Sequence, residues 1–112
     1  MIRSMMLAAL VALAATPSQA ERRVYSGPEL EALVCAHLFG ITSVSLANEG
    51  MLSPSLRDGM LTWSVLIMER YVSGSWEQKM KALKTVSGRR TLLGSIGEFQ
   101  VRAKGCLQRF PV

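Results

Sequence analysis

A chain of 112 residues that is 49% hydrophobic and 19% charged has the length of one domain and too much apolar content for a disordered polyelectrolyte. Its net charge of +5 is too mild to nominate nucleic acid, and one histidine with two cysteines makes a poor ligand supply for a dedicated zinc site. No cofactor fingerprint is present either.

Residues 1–20 read as a cleaved signal peptide. Arg3 is the positive flank, Met5 to Ala15 is an apolar run of eleven residues, and Thr16-Pro17-Ser18-Gln19-Ala20 supplies a helix breaker and small residues for a peptidase. Eleven apolar residues are too few for a bilayer core, which needs about 20, so the leader is expected to be cut before Glu21 rather than kept as an anchor. The predicted product, residues 21–112, is a periplasmic or secreted domain with net charge +4 after Arg3 leaves. In that compartment nucleic acid is not an expected partner; an acidic envelope protein or an anionic membrane surface is. Only Cys35 and Cys106 are available for pairing, and an oxidising compartment favours a disulfide between them. So large a ring would contribute roughly 4 kcal/mol, comparable to the net stability of a small domain.

The first predicted helix starts at Ser26-Gly27-Pro28-Glu29, which has the form of a capping box with proline in the first turn. Leu30, Leu33, Val34, Leu38, Ile41 and Val44 form its apolar stripe, which ends near Asn48-Glu49-Gly50. Gly40 weakens its middle and leaves room for close approach by a neighbour. A second helix is capped by Ser53, begins at Pro54 and runs to about Val72; its centre, residues 60–68, is apolar nearly all round and predicts the most enclosed element of the bundle. It does not read as a membrane span, because Arg57 and Asp58 precede the run and Glu69 and Arg70 close it.

Ser73-Gly74 breaks the chain, and Ser75-Trp76-Glu77-Gln78 is a second capping-box pattern opening a helix through roughly Val86. The spacing turns Trp76, Met80 and Leu83 inward and Lys79, Lys81 and Lys84 outward, with Glu77 four residues before Lys81. After Ser87-Gly88-Arg89-Arg90, a last seam repeats at Leu92, Ile96, Phe99, Ala103, Cys106 and Phe110 before Pro111. That spacing is helical from Leu92 on; the alternative is that Gly94 and Gly97 mark a loop, with the helix starting at Ser95-Ile96-Gly97-Glu98. No alternating strand pattern competes. The expected fold is all-α, a small antiparallel bundle of about four helices closed by one disulfide.

Chemistry is sparse. His37 falls on the first apolar stripe with Leu33 and Ile41 as its helical neighbours, so no local carboxylate orients it as a base; a hydrolase would need a cleft joining it to a distant carboxylate. Cys35 and His37 lie two residues apart and point to different sides of a helix. Met51, Met60, Met68 and Met80 could offer soft sulfur to copper(I), although methionine serves more often as core filler. Trp76, Lys79, Lys81, Lys84, Arg89 and Arg90 cluster into the one candidate interaction surface. A leader followed by a disulfide-closed helical domain resembles, in architecture alone, many small bacterial envelope proteins, among them acid-stress chaperones and inhibitors. The expected function is a non-enzymatic, envelope-associated interaction module; the alternative is a small-ligand or copper carrier using interior Met and His. Neither expectation names a catalytic residue, a resident metal or a cofactor.

Overall fold

The computed structural model describes residues 23–112, so the expected leader and its cleavage point lie outside the described residues. Five helical segments follow one another: α1 (Gly27–Phe39), α2 (Ile41–Asn48), α3 (Pro54–Tyr71), α4 (Trp76–Gly88) and α5 (Leu92–Arg109). Because α1 and α2 are one helix bent at Gly40, the molecule is a four-helix bundle, with no strand among the described residues. The bend has local causes. The hydroxyls of Thr42, Ser43 and Ser45 turn back to the carbonyls of His37, Gly40 and Ile41, competing with the helical ladder at the break.

Three of the helices start where a side chain accepts from the first-turn backbone donors. Ser53 accepts from the Leu56 amide, and Ser75 and Gln78 complete a reciprocal capping box. The two readings of the last start are resolved in favour of the continuous seam: Thr91 accepts from the Gly94 amide, so α5 begins at Leu92, not Ser95, and runs straight through Gly94 and Gly97. The first start differs from the capping box expected there. Ser26 makes no side-chain cap, because the Glu29 carboxylate leaves its own helix to accept from the backbone N–H and hydroxyl of Ser73. That contact ties the beginning of α1 to the turn before α4. Tyr25 strengthens it by donating to the Ser73 carbonyl at 2.6 Å. Gly74 supplies the left-handed backbone of this turn at φ +96°.

The enclosed helix is α1, not α3. Every residue from Ala32 to Phe39 is buried, whereas α3 buries fully only Ser64, Ile67 and Met68. The physical reason is position: α3, α4 and α5 pack chiefly on α1 rather than on one another. Ala32 and Ala36, four residues apart on one face, let a neighbouring helix approach closely, and Phe39 meets Trp63 of α3 and Phe99 of α5 at ring distances of 4.6 and 5.2 Å. The 22 residues Gly27–Asn48 are long and apolar enough to cross a membrane, yet most of that length is enclosed by the other helices. At Gly40 α3 packs directly against the backbone of the bent helix. A Cβ there would lie 2.6 Å from Ser64 Oγ, and that hydroxyl donates to the Ala36 carbonyl at 2.7 Å.

Cys35 of α1 and Cys106 of α5 form the expected disulfide, with Cα atoms 5.7 Å apart. Beside it Arg109 pairs with Glu31 at 2.5 Å, joining the same two helices.

Candidate functional site

The seam of α4 determines which of the expected surface residues reach solvent. Its buried positions are Lys79, Leu83 and Val86, an i, i+4, i+7 series, so the inward face is turned from the one that Trp76, Met80 and Leu83 suggested. Two expectations change. Lys79 is buried at 8% exposure, close enough to Glu29 to help hold that carboxyl below its usual range after the hydrogen bonds from Ser73. Trp76 is not interior but 47% exposed.

The basic cluster is accordingly dispersed. Arg90 is half-buried, donating to Glu98 at 2.9 Å and to the Val86 carbonyl at 3.0 Å. Arg89 is exposed but lies with Ala82 and Val86 beside Arg23 and Tyr25, on the side of α4 opposite Trp76. Only Lys81 and Lys84 remain as exposed lysines on α4, and Lys84 borders a concavity.

That concavity is an apolar groove of about 400 Å³ between the bent first helix, α3 and α4. Ile41 and Val44 form one wall, Leu61 and Val65 the second, and Trp76 and Met80 the third. Met68 and Leu83 close its floor as buried residues, while Ile41, Val65 and Trp76 keep 37%, 42% and 47% of their surface exposed at its mouth. The all-round apolar character of residues 60–68 therefore has a different cause from the one expected: its outer half lines an open groove. The two hydroxyls in the lining are already engaged, Ser64 with Ala36 and Ser45 with Ile41 at 3.1 Å. Lys84 is the single charged residue in the lining.

His37 sits elsewhere. Nδ1 lies 2.8 Å from Ser87 Oγ and Nε2 2.9 Å from Ser95 Oγ, so one ring nitrogen donates and the other accepts in either neutral tautomer. Burial first, then the Arg90 guanidinium, push its pKa below the usual 6.5, against the opposing pull of Glu98. The neutral ring bridges α1 to the end of α4 and the start of α5. It lines a pocket of only about 110 Å³, apart from the groove methionines. Soft sulfur and imidazole are thus divided between two places, and among the described residues no three His, Cys, Asp or Glu side chains gather. Met60 packs on the core and Met51 is exposed, so the four methionines do not form one cluster.

The groove was within reach of sequence reasoning through one signal, the exposed half of an apolar helix, but its partner walls come from segments distant in the chain. Compared with protein-family models, curated proteins and solved structures, the chain finds no match. Function is therefore read from this geometry.

Proposed function

We propose that this chain is an exported, non-enzymatic binding module of the cell envelope, periplasmic or secreted, that engages another envelope component through the groove bounded by α2, α3 and α4. The observation that carries the reading is an apolar groove left open in a domain whose central helix is otherwise tightly covered. Contiguous exposed apolar surface costs solubility and marks binding sites more often than it marks nothing. Export is supported by the buried Cys35–Cys106 bond, a feature of oxidising compartments, together with the apolar leader read from the sequence. The non-enzymatic part rests on His37, whose two nitrogens serve serine hydroxyls that join helices.

Two measurements test this. The full chain expressed in bacteria is expected in the osmotic-shock fraction, beginning at Glu21 and showing no alkylatable thiol; an uncut, reduced chain in the cytosol would overturn export. A photo-crosslinking residue at Val65, in the groove, is expected to form envelope adducts that the same residue at Val101, on α5, does not. Equal labelling from both positions would remove the groove from the account.

A further inference from the structure

Resting on the reading of the groove as the binding surface, we infer that its occupant is a single long-chain fatty carboxylate, with its alkyl chain along α3 and its head group against Lys84. The argument begins with what the walls can offer. They are apolar side chains, two of them methionines that adapt to irregular shapes, and the only hydroxyls nearby are spent on helix carbonyls. A ligand rich in hydrogen-bonding groups would lose its water there and gain no partners. An alkyl chain loses nothing. A volume of about 400 Å³ is of small-ligand size, in the range of roughly 300–1,000 Å³, and suits one chain rather than a partner's whole helix, which is about 10–12 Å across.

Charge selects the head group. No acidic residue lines the groove, and Lys84 at its edge is exposed, so the one electrostatic preference of the site is for an anion at the end of the chain. The same charge map argues against adsorption to a bilayer. Lys79 is buried, Arg90 is held by Glu98, and Arg89 stands on the far side of α4, leaving no flat cationic face around the mouth. Lys81, the other exposed lysine of α4, lies outside the lining, and the one lysine at the mouth suits one carboxylate better than a sheet of head groups.

The test uses the processed protein from the exported fraction, titrated calorimetrically with octanoate, decanoate and dodecanoate below their micelle limits, and with dodecanol as the uncharged probe. Saturable binding of one molecule per chain is expected, tightening by roughly 4-fold for each added methylene that the groove buries. Lys84→Gln is expected to weaken dodecanoate by about 5-fold while leaving dodecanol unchanged. Val65→Trp, at a half-exposed position of the groove, should lower binding of both probes by more than 10-fold, whereas Val101→Trp on α5 should change neither; circular dichroism melts establish that all variants are folded. Absence of saturable dodecanoate binding, binding unaffected by Val65→Trp, or association only with phosphatidylglycerol vesicles would each overturn the inference. If the amphiphiles fail while Val65 still gives groove-specific adducts, only the ligand assignment falls. If both fail, the groove reading falls with it.

Discussion

Gly40 and His37 show how single residues hold this bundle in register. Alanine ordinarily favours a helix over glycine by about 1 kcal/mol, yet at position 40 its Cβ would meet Ser64 Oγ at 2.6 Å and the Ala36 carbonyl at 2.9 Å. Overpacking of this kind costs about 1–3 kcal/mol, so Gly40→Ala is expected to lower the urea midpoint despite its better propensity. A Gly40→Ala protein as stable as the parent would show that α3 can retreat from α1 without cost. His37 gives the pH dependence. Its pKa in the folded chain lies below the unfolded value of about 6.5, so on acidification the unfolded chain takes up this proton first. Stability is fully present above that pH and declines below it, with a slope of at most about 1.4 kcal/mol per pH unit for one proton. Urea titrations between pH 7.5 and 5 should show the decline in the parent and a flatter profile in His37→Asn. Glu98 and Glu29, whose carboxyls are held below their ordinary range, act in the more acidic region: their contribution is present above the unfolded carboxylate value near 4.5 and is lost as the pH falls beneath it.

At the scale of elements, α5 depends on a cap that glycine content obscures. Thr91 holds the Gly94 amide, and the first turn that it secures delivers Ser95 to His37. Thr91→Ala is therefore expected to cost about 1 kcal/mol and to speed amide exchange at Gly94 and Ser95, an effect visible by hydrogen-exchange mass spectrometry. Unchanged exchange there would mean that burial of Ser95 alone fixes the start. The same helix illustrates what could be read in advance. Cys106, Phe99 and Ala103 lie on one seam at helical spacing, and that seam survives in the fold; Leu92, assigned to it by the same arithmetic, is 40% exposed because the helix has only just begun. Local signals such as Ser53-Pro54 and the Ser75–Gln78 box were legible because they act within four residues. The burial of Lys79 was not. It depends on a rotation of α4 of less than one residue's angular step, set by packing of Leu83 and Val86, and on a carboxylate fifty residues earlier in the chain. Apolarity around α3 was legible too, but whether such a face is covered or open depends on how many helices exist to cover it. Here the three that surround the core are arranged about α1, and the outer flank of α3 is left over.

For the molecule as a whole, the arrangement around α1 concentrates stability in one helix and one covalent bond. Helices α3, α4 and α5 make most of their contacts with α1, so loss of α1 packing removes support from all of them together and predicts cooperative unfolding. The disulfide closes a loop spanning 71 positions, and reduction or a Cys35→Ser/Cys106→Ser protein is expected to lose about 4 kcal/mol. For a domain of this size that is enough to leave much of the population unfolded near 37 °C, measurable as a collapse of near-ultraviolet circular dichroism on adding reductant. A reduced protein that retained its melting temperature would show that burial of the two sulfurs, not their bond, stabilises the bundle. Ion pairs add little to this. Arg109 and Glu31 are both substantially exposed, and such contacts contribute about 0–1 kcal/mol.

The placement of that bond also sets a timetable. Cys106 follows its partner on the central helix by 71 positions, so Cys35 must wait for α2, α3, α4 and most of α5 before the ring can close. On the export route proposed above, the thread would stay loose and reduced during translocation and rigidify only on arrival. Under that proposal delivery and maturation become one event, with the chemistry that locks the molecule supplied at its destination.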